Sequence, residues 1–116
     1  MTSRPENIRA HLETERKRLA DELRSRLSQG AIEAREGSPF GKREETASEG
    51  LQLESRLAAV RHIREQLADV ERALEKLARG TYGLCDSCGK SIPLARLEAI
   101  PQANLCLECR VRQTGR

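Results

Sequence analysis

Leu53, Val60, Leu67 and Leu74 recur every seven residues, and Ile63, Val70 and Leu77 form a second series offset by three. This pattern constrains the chain more than any other feature. It predicts one long helix with an a/d apolar seam over about four heptads, and such a seam has to be covered. Thr46-x-x-Glu49 reads as a capping box at its start, and Gly80 is placed to end it. Residues 47–79 as a helix would be roughly 50 Å long. Gly50 weakens its first turns by roughly 1 kcal/mol relative to alanine.

The seam needs a partner. A first helix is predicted over about residues 5–29, with Ser3-x-x-Glu6 as a capping box and Pro5 in the first turn. Ile8, Leu12, Leu19, Leu23 and Leu27 recur along it mainly at intervals of four or seven, with Arg16 interrupting. Gly30 is the expected stop. The connecting stretch "GAIEAREGSPFGKREE" carries Gly37, Pro39 and Gly41, which break helices. Its "AIEARE" either extends the first helix or belongs to the loop. The simplest arrangement folds the first helix back on the second as an antiparallel hairpin within one chain. The rival is a coiled coil between chains. Only 2% of residues are aromatic, with no Trp, one Tyr and one Phe, so a broad globular core is excluded.

All four cysteines lie in one 25-residue window: Cys85-x2-Cys88, a gap of 17 residues, then Cys106-x2-Cys109. This is zinc spacing. A two-residue gap lets one tight turn aim two sulfurs at one ion, and two such knuckles complete a tetrahedral shell. Gly83 and Gly89 flank the first knuckle and can supply positive φ. Between the pairs, "SIPLARLEAI" predicts a short helix with Ser91 or Ile92 as cap and Pro93 in its first turn. Tyr82, in the bridge "ARGTYG", is expected to pack the finger onto the hairpin. Four thiolates close the shell, so the expected cofactor is one structural Zn2+, with Cys85, Cys88, Cys106 and Cys109 as ligands. A catalytic zinc keeps an open position. Asp86 and Glu108 inside the knuckles then have no bound water to activate. His11 and His62 lie far off in sequence and read as solvated helix residues.

The chain is therefore expected to be mainly α: an antiparallel coiled-coil hairpin over 1–80, with a tip loop at about 30–46, and a four-cysteine zinc-finger module with a short C-terminal helix or tail over 81–116. No nucleophile–base pair or phosphate-binding glycine loop points to an enzyme. Net charge is +3, and about +1 once four thiolates hold a divalent ion, too balanced to argue for nucleic-acid binding. No apolar run is long enough to span a bilayer and the N-terminal stretch has no apolar core of a signal peptide. A cytoplasmic location is expected, where paired cysteines favour metal over disulfides.

The stretch from Ala73 to Cys109 resembles the DksA/TraR family of bacterial transcription regulators. The resemblance rests on Gly80-Thr81-Tyr82-Gly83, Cys85, Cys88, Gly89, Ile92-Pro93, Arg96-Leu97-Glu98-Ala99, Pro101, Ala103, Cys106 and Cys109. It continues without a gap along the second helix, over roughly residues 42–112, and the first helix agrees only in character. It implies direct binding to RNA polymerase without sequence-specific DNA contact, and the intramolecular hairpin is expected to be a monomer. The hairpin would enter the secondary channel and modulate initiation, in some members together with the alarmone ppGpp. It also implies a tip motif Asp-x-x-Asp-x-Ala, which falls here on Lys42, Glu45 and Ala47, with Glu44 beside it. Lys42 thus stands where the family has an acid. The plainer role for Glu44, Glu45 and Glu49 is to favour the helix N-terminus electrostatically. Two other functions are compatible with the residues alone: a zinc-ribbon nucleic-acid binder using Arg110, Arg112 and Arg116, or a zinc-capped coiled coil that oligomerises.

Overall fold

The computed structural model describes the backbone of residues 5–36 and 47–114, and side chains over 6–30 and 50–113. The capping residues Ser3 and Thr46 and the loop residues 37–46 lie outside the described residues. Four helices follow in order: α1, Pro5–Glu36; α2, Ala47–Arg79; α3, Leu94–Ala99; and α4, Leu107–Thr114. Among the described residues the only β pairing is an isolated antiparallel bridge between Leu84 and Ser91. No described helix is long and apolar enough to cross a membrane.

The two long helices form an antiparallel hairpin. Each of the two compact units takes one segment from each helix, the start of one with the end of the other. The first contains residues 1–17 and 68–116, the second residues 18–67. In the first, Leu12, Val70 and Ala73 are buried, with Ile8, Leu74 and Leu77 half-buried around them. In the second, Leu19 and Ile63 are buried, and Leu23, Val60 and Leu67 are half-buried. Six of the seven residues of the two α2 series, all but Leu53, are thus buried or half-buried. Arg16, which interrupts the α1 series, is exposed. Towards residues 37–46, Leu27 and Leu53 are 45% and 53% exposed.

Gly30 does not stop α1, which runs through it to Glu36. A glycine ends a helix when it takes a left-handed conformation, and Gly30 keeps negative φ. The "AIEARE" that follows has residues suited to continue the helix. No atom lies within 4 Å of where a Gly30 Cβ would stand. Gly30→Ala should therefore stabilise the chain by about 0.5–1 kcal/mol, read as a higher urea midpoint with an unchanged slope.

Gly80 does end α2. Its φ is +79°, and two bonds close the terminus: Gly80 N–H to the Leu77 carbonyl at 3.3 Å and Thr81 N–H to the Lys76 carbonyl at 2.8 Å. This is the 5→2 and 6→1 pairing of a Schellman motif. It turns the chain out of α2 directly into the cysteine segment.

Candidate metal centre

After the turn at Gly80, the chain folds into a short ribbon. Ile92 N–H donates to the Gly83 carbonyl at 2.7 Å, and Cys85 N–H donates to the Lys90 carbonyl at 2.8 Å. Gly89 N–H bonds back to the Cys85 carbonyl at 3.0 Å, which closes the first knuckle. The second cysteine pair is built differently. Cys106 precedes α4 and Cys109 sits in its first turn, so the helical repeat itself brings the pair to one side. Arg110 N–H donates to the Cys106 carbonyl at 2.9 Å.

These two devices place all four sulfurs within 4.8 Å of one another. The Cys88 and Cys106 sulfurs are 3.9 Å apart, far beyond disulfide bonding distance. A tetrahedral ZnS4 shell with Zn–S near 2.3 Å has edges of about 3.8 Å. The donor set therefore fits one Zn2+ in both chemistry and spacing, and no position is left for water or substrate. Among the described residues no other group of metal-ligating side chains comes together. His11 and His62 are exposed on the long helices.

The electrostatics also call for a cation. Ser87 and Cys88 N–H groups point at the Cys85 sulfur, at 3.3 and 3.4 Å. The bond from the Cys88 amide is the main cause that brings the Cys85 thiol down to about 6. Cys109 cannot follow. The hydrogen bond with Cys106, foremost, pushes Cys109 up to about 12. Four sulfurs this close do not all ionise unaided, and a bound Zn2+ takes all four as thiolates.

The ligands also form the finger's core. Cys85, Cys109 and Ile92 are buried together, with Leu97, Leu105 and Cys106 half-buried against them. Six residues make too small a core to hold such a module without a staple. Gly83 sits at the edge of this core with φ +93°, and a Cβ there would meet Leu97 Cδ1 at 3.4 Å. Gly83→Ala forces an L-residue into this region and should cost about 1–2 kcal/mol. The expected readout is a lower thermal midpoint for the zinc-loaded chain.

Two local expectations are corrected. Pro93 is the N-cap of α3 and not part of its first turn, with ψ 141° and no side-chain cap bond. Ser91 and Ile92 cannot cap the helix because the ribbon uses them: Ser91 in the bridge to Leu84, Ile92 in its bond to Gly83. The Tyr82 hydroxyl donates to the Pro101 carbonyl at 2.8 Å, a bond inside the finger, and burial raises its pKa.

A model described as the prokaryotic dksA/traR C4-type zinc finger matches residues 80–114. The structure of transcription factor DksA2 from Pseudomonas aeruginosa matches nearly the whole chain: TM-score 0.73 and 29% identity, over 96% of this chain and 83% of that one. Over residues 80–114 the chain carries a zinc finger of the dksA/traR C4 type. Among curated relatives, the uncharacterised YteA of Bacillus subtilis is 44% identical over 62 residues, 53% of this chain and 26% of YteA. The RNA polymerase-binding transcription factor DksA of Haemophilus influenzae is 43% identical over 47 residues, 40% of this chain and 32% of that protein. The chain thus spans about a third or less of the curated relatives it matches. The finger holds a structural zinc.

Sequence reasoning missed one part of the site. Asp86, between the first two ligands, accepts two bonds from the Arg72 guanidinium, at 3.1 Å each. Those bonds hold its carboxyl below the usual carboxylate range. Lys76, 2% exposed, also reaches this carboxylate, at 3.2 Å. The only hint in the sequence is that Lys76 continues the inward-facing spacing of Val70 and Ala73, where an ammonium needs a partner. The tip residues Lys42, Glu44 and Glu45 lie outside the described residues. Ala47 is the first residue of α2, and its side chain is also outside them.

Proposed function

We propose that this chain is a non-catalytic transcription regulator that binds RNA polymerase directly. Its hairpin, over residues 1–80, would enter the secondary channel tip first and modulate initiation. The finger, residues 81–116, would hold the base of the hairpin in shape. The observation that carries this reading is the near-complete match to the DksA2 transcription factor, 96% of this chain at TM-score 0.73. The Haemophilus influenzae relative, named for RNA polymerase binding, supports it over the 47 residues it shares with this chain. The protein would act in the cytoplasm as a monomer, without sequence-specific DNA contact, with ppGpp as a co-effector as in part of the family.

The tip would act through Glu44 and Glu45, with Ala47 behind them and Lys42 in place of the first acid. A carboxylate brought near the polymerase's catalytic cations acts by charge, so sign and reach both matter there.

The test is binding of the zinc-loaded chain to bacterial RNA polymerase core, with and without a known secondary-channel factor as competitor. A 1:1 complex displaced by the competitor is expected. Glu45→Ala should bind within about fivefold of the parent affinity, since one surface ion pair contributes about 0–1 kcal/mol, yet lose the effect on initiation. Lys42→Asp should strengthen that effect. No complex at micromolar concentrations, together with steeply salt-dependent binding to DNA or RNA, would replace this reading with the nucleic-acid one.

A further inference from the structure

Lys76 is a lysine with almost no access to water, and its partners explain why it is tolerated. Its ammonium donates to the Leu84 carbonyl at 2.6 Å and to the Asn104 side-chain oxygen at 3.3 Å. It pairs with Asp86 at 3.2 Å. Leu84 and Asp86 are the residues on either side of the first zinc ligand, Cys85. One helical residue therefore grips the chain both before and after that ligand.

Asn104 stands two residues before the third ligand, Cys106. Its side-chain amide donates to the Asp69 carbonyl on α2 at 3.1 Å, and its backbone carbonyl accepts from Asp86 N–H at 2.8 Å. Arg72, one turn before Lys76, closes its two-pronged bond on Asp86 from outside. The approaches to both cysteine pairs are thus fastened to α2 and to each other. Asp69, Arg72 and Lys76 all precede residue 80, where the matched zinc finger begins.

We infer that Arg72 and Lys76 are positioning residues of the metal centre, acting through Asp86 and Asn104, and that they couple zinc occupancy to the order of the last turns of α2. A buried ammonium is stable only while its partners stay in place. Zinc fixes those partners by fixing Cys85 and Cys106. When the metal leaves, the two cysteine segments loosen, Lys76 loses its acceptors, and the end of α2 opens to let it reach water. The coupling is reciprocal, as any linkage is: weakening the grip of α2 on the first knuckle speeds zinc release. The finger is then not a self-contained appendage, because its outer shell is helical residues of the hairpin.

The experiment uses the full chain, zinc-loaded, and does not depend on polymerase binding. Zinc transfer to an excess of a chromogenic chelator gives a release rate. Lys76→Met keeps the apolar stem and removes the charge; it should release zinc about tenfold faster, the scale on which outer partners of a metal ligand act. Arg72→Lys keeps the charge but loses the fork; it should lie between the two. Amide exchange over residues 70–79 gives the second readout. In the parent chain, stripping zinc should speed exchange there about tenfold or more, and in Lys76→Met the same step should change it far less. If Lys76→Met does not fold, Arg72→Ala, at a half-exposed site, tests the same coupling in the same direction. Parental release rates in the folded variants overturn the inference. So does equal exchange over 70–79 in zinc-loaded and zinc-stripped parent.

Discussion

Cys88→Ser should strip the chain of its zinc and unfold the finger while leaving most of the helix in place. Cys88 is the exposed member of the four ligands, so its replacement opens no cavity and any loss of stability reports the metal. Serine does not replace a thiolate at zinc, and three sulfurs leave the shell open. The scale of the effect follows from how little else holds the finger. Its buried core is Cys85, Ile92 and Cys109, and two of these are ligands. Structural zinc contributes about 10–16 kcal/mol to comparable finger peptides at neutral pH, which is more than such a core supplies. The expected readouts are a zinc-to-protein ratio well below one, lost amide protection over residues 81–113, and a small drop in far-UV helix signal. The drop is small because α3 has six residues and α4 eight, against 32 in α1 and 33 in α2. Stoichiometric zinc and parental stability in the variant would sink the four-cysteine site.

The features legible in the sequence are those set by local spacing. The two C-x2-C pairs need only a turn or a helix start to aim their sulfurs, and the structure uses one of each. The heptad residues from Ile63 to Leu77 name the covered face of α2 because 3.6 residues per turn leaves them no other side to occupy. Gly80 could be read as a stop because the chain beyond it leaves the helical pattern. Gly30 could not, because a glycine followed by good helix formers is ambiguous without its φ. The α3 cap was misplaced because Ser91 and Ile92 serve a ribbon whose pairing with Leu84 and Gly83 no spacing rule announces. The Arg72–Lys76–Asp86–Asn104 cluster was invisible for the same reason on a larger scale. Its members are 14 residues apart for Arg72 and Asp86 and 28 for Lys76 and Asn104, and only the fold brings them together. Single ion pairs along the helix surface, such as Arg79 with Glu75 at 2.9 Å, are readable from i,i+4 spacing, yet each contributes only about 0.3–0.5 kcal/mol.

The seam itself yields the other large expected effect. Leu12→Ala should lower stability by about 2–5 kcal/mol, the range for truncating a fully buried leucine. Leu12 is 0% exposed, in the unit where Val70 is also 0% exposed and Ala73 likewise. Among the described residues, these three with Leu19 and Ile63 are the buried apolar residues of α1 and α2, so one truncation removes a large part of a thin core. With a typical domain stability of about 5–15 kcal/mol, the loss should appear as a drop in thermal midpoint of roughly 10–20 °C, with zinc held saturating so that the finger does not contribute. The control is Leu53→Ala, at the same kind of heptad position but 53% exposed. It removes a side chain that water already reaches and should cost less than about 1 kcal/mol. Equal losses at both positions would mean that Leu53 is covered in solution as Leu12 is, which is what a seam shared between two chains would require, and sedimentation of the two variants would then separate a hairpin from a dimer.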